Sequence, residues 1–248
     1  MISVLVFTKC LIFVKIVQPK KEQVALMENV INVFDIEISA DSAKEIVRKI
    51  AMHLEEERIY TVSALSLEML LQEKDNENWK RQLQTMDILF PGDKEIFRAA
   101  DNAAKGCMKQ TDKKELGKLL LRYLQKNKKT LFLLAEKESE LVKFENDLRR
   151  YCPNIKIIGK SVLAVDSEEK DKVVNEINGV EPDCIFAALS CPWQTQFINE
   201  NRALINARAW VGFGSSIVRN IEKKSAAVKL QTFILKKMFR YHLEKHVE

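Results

Sequence analysis

Apolar residues along this chain alternate between two periods, and the alternation sets the architecture. Ala43, Ile46, Val47, Ile50 and Leu54 recur every three or four positions, the spacing of one helical face, with Asp41 or Ser39 placed to cap its start. Ile59–Leu65 then reads as a strand, Leu67 to about Gln84 as a helix, and Asp87–Phe90 as a second strand. Two helices follow, one carrying Ile96, Ala99, Ala100 and Ala103, the other Leu116, Leu119, Leu120, Tyr123 and Leu124. Thr130–Leu134 is a short apolar strand before a helix with Leu141, Phe144 and Leu148. Ile155–Ile158, Cys184–Leu189 and Ala209–Val211 complete the strands, with helices between them. Short apolar strands alternating with amphipathic helices predict an α/β fold: a Rossmann-like, mostly parallel sheet with helices on both faces.

The two ends of the chain break this pattern. Leu230, Phe233, Ile234, Met238 and Tyr241 line one helical face near the C-terminus, ringed by Lys229, Lys236, Lys237, Arg240 and Lys245. Of a net charge of +5, residues 215–248 carry all the excess: eight Lys/Arg against three Glu, leaving 32 against 32 elsewhere. Such a basic helical appendage either packs on its own domain or lies on an anionic membrane surface. No nucleic-acid partner is expected of it. At the other end, Ile2–Val17 is apolar but broken by Lys9 and Lys15. A spanning helix needs roughly 20 uninterrupted apolar residues, so this stretch predicts a β-rich or poorly ordered extension. The domains expected are an extension over 1–28, an α/β domain over 29–214 and the appendage over 215–248.

Hydrophobic residues make up 46% of the chain and charged residues 30%, enough for a sizeable core. The five cysteines are odd in number and none forms a Cys-x-x-Cys pair, which argues against a disulfide scaffold or zinc ribbon and for a reducing cytoplasm. His242 and His246 stand four apart on the terminal helix, yet nothing nearby supplies further zinc ligands, so no metal is expected.

Candidate chemistry concentrates at Met86-Asp87-Ile88-Leu89-Phe90-Pro91-Gly92-Asp93, a buried strand running into a Pro-Gly turn with an acid at its mouth. Ligands of open α/β sheets bind just beyond the carboxyl ends of strands, which is where Asp93 falls. Four blocks together resemble the WecG/TagA/CpsF glycosyltransferase family from about Asn32 onward. Leu65-Ser66-Leu67-Glu68-Met69 is similar to its Thr-x-Asn-Pro-Glu-Met, and Met86–Asp93 to its Ala-Asp-Leu-x-x-Pro-Asp-Gly. Tyr151–Gly159 is similar to its Tyr-Pro-x-Leu-x-Ile-x-Gly. Ser190-Cys191-Pro192-Trp193-Gln194-Thr195 resembles Gly-Ser-Pro-Lys-Gln-Glu, and Val211-Gly212-Phe213-Gly214 the Val-Gly-x-Gly that follows.

The resemblance implies transfer of N-acetylmannosamine, or a related sugar, from a UDP-sugar to an undecaprenyl-diphosphate-linked acceptor. The UDP-sugar is then a substrate, with no separate cofactor, and the setting is cytoplasmic, at the inner face of the membrane. It also implies candidate substrate contacts at Ser66, Trp193, Gln194, Gly212 and Gly214, with Arg219, Lys223, Lys224, Lys236, Lys237 and Arg240 holding lipid diphosphate or membrane. A homo-oligomer is compatible with it.

The polar positions diverge. The family's base aspartate falls on Gly92, leaving Asp93, or secondarily Glu95, as a displaced base; a solvated turn residue is the plainer reading of Asp93. Its threonine and asparagine fall on Ala64 and Ser66, and its glycine-rich turn on Ala135-Glu136-Lys137, which sets a carboxylate where a diphosphate would approach. The acid of its Lys-Gln-Glu becomes Thr195, and Gln194 alone is kept in the polar part of that block. Trp193 reads either as a stacking surface for a uracil or sugar or as a half-buried packing residue. Two functions therefore stand open: a sugar transferase, and a catalytically degenerate homologue serving as a binding or scaffold partner in cell-surface polysaccharide synthesis.

Overall fold

The computed structural model describes residues 30–33, 36–67, 69–70, 76–103, 113–218 and 236–237. Strands β1 (Val30–Val33) and β2 (Ile36–Ser39) form an antiparallel hairpin that the sequence pattern did not announce. Each is four residues long, too short for a period of two to stand out. Helix α1 (Ala43–His53) follows, and its cap corrects the expectation: neither Asp41 nor Ser39 but Ser42 fills that role. The Ser42 hydroxyl accepts the Glu45 N–H while the Glu45 carboxylate accepts the Ser42 N–H, a reciprocal capping box. Asp41 is instead buried against Lys49 at 2.6 Å and accepts the Ser39 hydroxyl.

The central sheet contains β3 (Tyr60–Leu65), β4 (Ile88–Pro91), β5 (Thr130–Ala135), β6 (Lys156–Val162), β7 (Cys184–Ala188) and β8 (Ala209–Gly212). All six are parallel, in the order β4-β3-β8-β7-β5-β6. Between them run α2 (Glu77–Gln84), α3 (Lys94–Ala103), α4 (Lys113–Lys126), α5 (Glu138–Tyr151), α6 (Lys170–Val180) and α7 (Trp193–Asn201). The helix expected from Leu67 to Gln84 is not continuous. Asn76, in an extended conformation, starts α2 afresh by accepting the Trp79 N–H at 3.1 Å. Apolar spacing alone passes over such a cap.

Strict alternation along the strands divides the core in two. Val62, Phe90, Leu131, Leu133, Phe186 and Val211 share one core with α1, α4 and α5. Leu89, Phe132, Leu134, Ile185 and Trp210 share the other with α2, α6 and α7. Because both faces of the sheet are covered, its strands read as nearly continuous apolar runs, which is why they were easy to find. Strand β6 is longer than expected, since as an edge strand it tolerates Lys156, Gly159 and Lys160. Its pairing slips between Leu131/Ile157 and Phe132/Gly159, which leaves Ile158 as the extra residue of a bulge. Such an irregularity blunts an exposed edge against pairing with another chain.

At the amino ends of the strands, two equivalent clips lock neighbouring strands together. Asp87, just before β4, accepts both the N–H and the hydroxyl of Thr61 at 2.8 Å and donates its own N–H back to that hydroxyl at 3.1 Å. Asp183, just before β7, does the same to Thr130, at 2.7 and 2.8 Å with the return bond at 2.9 Å. The clips join β3 to β4 and β5 to β7.

Candidate active site

The chain runs from β5 outward to β6, but from β7 inward to β8, so the direction of winding reverses between β5 and β7. In open α/β sheets ligands bind beyond the carboxyl ends of strands near such a reversal. There the segments after β3, β4, β5, β7 and β8 meet, and they carry every described candidate except the residues of the tail.

The turn after β4 explains Gly92. Its N–H donates to the Leu65 carbonyl at 2.7 Å, and an ideal Cβ on Gly92 would stand 2.7 Å from that same oxygen and 3.2 Å from Lys113 Cε. A backbone oxygen at that distance cannot yield cheaply, so this position excludes a side chain. The acid therefore stands one residue on. Asp93 opens α3, its carbonyl accepting the Phe97 N–H at 3.0 Å, and its Oδ2 reaches across to accept the Leu67 N–H at 2.7 Å. It is half-buried, and its Oδ1 has no hydrogen bond among the described residues. Asp93 is thus no loosely solvated turn residue: one oxygen is anchored and the other is available.

Gln194 ties three strands at their ends. Only 1% exposed, it donates from Nε2 to Ser63 Oγ on β3 at 3.0 Å and accepts the Gly214 N–H, beyond β8, at 3.1 Å. Gly214 has φ +76°, where glycine is favoured. A Cβ on Gly212 would lie 2.3 Å from Gln194 Nε2. The structure therefore brings Gln194, Gly212 and Gly214 together, with the polar groups of the knot turned toward one another.

Ser66 also serves the backbone, its hydroxyl accepting the Met69 N–H at 3.2 Å to cap the turn after β3. Trp193 is buried rather than half-buried, at 4% exposure, with Lys170 Nζ 4.6 Å from its ring centroid. Aromatic packing with a cation on one face leaves little surface for a stacked base. Glu136, which the sequence placed in the path of a diphosphate, is buried and accepts the Ser190 N–H. Its charge is turned inward, where it joins the segments after β5 and β7.

Of the tail, Lys236 and Lys237 are described. Lys236 Nζ lies 2.5 Å from Glu95 in the first turn of α3, while Lys237 is exposed. Burial raises the Glu95 pKa, but the Lys236 ammonium, its own backbone N–H and the Arg98 charge together hold the carboxyl below its ordinary range. The tail at this point is tied to Glu95, two residues on from Asp93. Arg219, Lys223, Lys224, Arg240, His242, His246 and the N-terminal extension lie outside the described residues.

One residue at this mouth escaped the sequence reading. Lys113, the first residue of α4, is 8% exposed, and its Nζ donates to Ser216 Oγ at 3.0 Å in the 3-10 turn Ser215–Ile217 after β8. A lysine at a helix start in a Lys-rich stretch gives no sequence signal of burial.

The opposite end of the sheet holds a cleft of about 420 Å³ lined by Lys49, His53, Arg58, Tyr60 and Asp87 among others. Three of its charged residues are paired within the fold, Lys49 with Asp41 and Arg58 with Asp87, each pair at 2.6 Å. That pairing and the distance from the strand carboxyl ends set it apart from the candidate site. Among the described residues, no three His, Cys, Asp or Glu gather as a metal site. No helix among them is long and apolar enough to cross a membrane.

Comparison with known proteins agrees with this geometry. A 99-residue segment is 33% identical to an N-acetylglucosaminyldiphosphoundecaprenol N-acetyl-beta-D-mannosaminyltransferase of Bacillus subtilis (strain 168). The segment covers 40% of this chain and 38% of that relative. The model of the glycosyl transferase WecG/TagA/CpsF family matches residues 31–240, which takes in the whole sheet and the Asp93 turn. With its six-stranded parallel sheet and this match over most of its length, the chain belongs to the WecG/TagA/CpsF glycosyltransferase family.

Proposed function

We propose that the protein transfers a sugar, N-acetylmannosamine or a close relative, from a UDP-sugar to an undecaprenyl-diphosphate-linked acceptor at the inner membrane face. The observation that carries this reading is Asp93: a carboxylate at the strand ends, fixed by Leu67 through Oδ2, with Oδ1 unengaged among the described residues. A base held in direction by its own hydrogen bond suits a single displacement. The acceptor hydroxyl oxygen bonds to the anomeric carbon as the bond from that carbon to the diphosphate oxygen breaks. UDP leaves with the electron pair, and Asp93 takes the hydroxyl proton. The basic tail, docked through Lys236 and Glu95, would hold the lipid diphosphate near this mouth, with Lys237 facing outward.

The test is a UDP-release assay with UDP-N-acetylmannosamine and a lipid-linked N-acetylglucosamine acceptor, comparing wild type with Asp93→Asn. Asparagine keeps an oxygen for the Leu67 N–H but cannot take a proton, so kcat should fall about 10²–10⁴-fold with little change in KM. Turnover by the Asn variant at the wild-type rate would remove Asp93 from this role.

A second reading, a non-catalytic partner of the same pathway, draws on Glu136 bridging to Ser190 across the β5–β7 crevice. It predicts a well-folded protein that does not bind UDP in calorimetry. Binding at micromolar concentrations would end it.

A further inference from the structure

We infer that the outer face of α1 and α4 docks on an anionic lipid surface, which extends the membrane setting proposed above and is tested apart from it. These helices pack side by side over one face of the sheet. Helix α1 exposes Lys44, Arg48 and Met52. Helix α4 exposes Lys118, Arg122 and Lys126, and in its first turn Lys114 beside Glu115. One exposed carboxylate thus stands among six cations, since Glu45, the other acid of the two helices, is taken up in its capping box.

Charge is segregated here beyond what the totals show. Residues 1–214 balance at 32 against 32, yet residues 113–129 alone hold seven Lys/Arg and one Glu, leaving 25 against 31 in the rest. Cations four residues apart stand about 6 Å apart along a helix, inside the screening length of about 8 Å at physiological salt, so their fields add. Elsewhere cations are paired with acids, as Lys160 with Glu145 at 2.8 Å and Lys170 with Glu200 at 2.7 Å. Among the described residues Lys44, Arg48, Lys118, Arg122 and Lys126 make no such pair. Tyr151, at the end of α5, gathers two of them, its ring centroid lying 5.2 Å from Lys118 Nζ and 5.1 Å from Arg122 Cζ. Like charges drawn over one ring repel, and a plane of lipid phosphates relieves that repulsion. Met52, 50% exposed, adds an apolar contact that suits the headgroup boundary of a bilayer and would gain nothing from a nucleic acid. Helix α4 starts at the mouth, where Lys113 meets Ser216, and Val218, near the head of the basic tail, is buried in the core beneath these helices. A bilayer lying along α4 therefore reaches the mouth where a lipid-linked acceptor would enter.

Co-sedimentation with vesicles of mixed phosphatidylglycerol and phosphatidylcholine, and of phosphatidylcholine alone, tests this on the full chain. The triple variant Lys118→Gln, Arg122→Gln, Lys126→Gln should lose roughly 10²-fold in partition onto the anionic vesicles, about fivefold for each cation removed. Glutamine is a good helix former, and circular dichroism checks each fold. A control, Arg81→Gln with Lys172→Gln on α2 and α6 of the opposite layer, should bind nearly as wild type does. Wild type that ignores anionic vesicles, a triple variant that binds them as wild type does, or a control that loses as much per charge overturns the inference. So does a wild type that prefers a DNA duplex to these vesicles at equal salt, which would assign the face to nucleic acid. UDP release is then measured with the acceptor in vesicles and in neutral detergent micelles, and the triple variant should be impaired in vesicles alone. Equal impairment in micelles would show these cations acting at the site instead and overturns the docking. Vesicle binding that the triple variant loses, with no turnover by wild type in either form, keeps the inference and removes the transferase reading.

Discussion

The carboxamide of Gln194 fills the space where a Cβ on Gly212 would stand, with Nε2 2.3 Å from that position. The two residues are therefore coupled, and a double-mutant cycle should show it. Gln194→Ala leaves Ser63 and the Gly214 N–H without their partner, at about 1–3 kcal/mol. Gly212→Ala displaces the carboxamide, at about 1–3 kcal/mol. Together they should destabilise by clearly less than the sum, because truncating Gln194 makes room for the new methyl. Urea denaturation measures this; strict additivity would mean the pair is not in contact.

Restoring the family's aspartate at position 92 should not restore the family's site. The Leu65 carbonyl stands 2.7 Å from a Cβ there. Gly92→Ala is expected to cost about 1–3 kcal/mol, or roughly 2–4 °C in Tm per kcal/mol for a chain of this size, and Gly92→Asp at least as much. Differential scanning calorimetry decides it. An unchanged Tm for Gly92→Ala would show that the β3–β4 turn opens readily.

The Glu95–Lys236 pair predicts a pH dependence whose sign is fixed. The Glu95 pKa is depressed in the folded state, so its contribution is present above the unfolded carboxylate value of about 4.3 and is lost as pH falls through the lower folded value. Replacing Lys236 by Gln leaves burial unopposed by that ammonium, so the Glu95 midpoint should rise markedly. Carbon-detected NMR titration of the carboxyl reads both midpoints. At neutral pH, Glu95→Gln should also speed tryptic cleavage after Lys236, and an unchanged rate would show that the pair does not restrain the tail.

Thiol labelling offers a separate check on packing. Burial pushes both the Cys184 and the Cys152 thiols above their ordinary range, whereas Cys191 is half-buried at the site mouth. Of these three, mass spectrometry should find Cys191 alkylated in the native state and Cys184 only after unfolding. Early modification of Cys184 would contradict the buried β7.

Strands covered on both faces are legible because burial writes them as apolar runs, as at Leu131–Ala135 and Cys184–Ala188. The β1–β2 hairpin and the break at Asn76 are not legible in the same way, since each depends on local geometry rather than on periodicity. The site divides along similar lines. Sequence position placed Asp93, Gln194 and Gly212 at the strand ends, because topology dictates which loops meet there. Their hydrogen-bond duties escaped it: nothing in the order of residues says that Gln194 faces Ser63, 131 positions away, or that Glu136 turns inward to Ser190. Lys113 gave no signal for the same reason, since it meets Gly92 and Ser216, both distant in sequence.

The paired clips of Asp87 with Thr61 and Asp183 with Thr130 set the strand register from the end of the sheet opposite the candidate site. An architecture anchored there can exchange the loops at its other rim like cassettes. Substitutions at the far rim then alter what is bound without erasing the instructions for folding. The divergence gathered at Ser66, Gly92, Glu136 and Thr195 is what such a division of labour permits. It makes this chain a natural recipient for loop grafts from other members of the family.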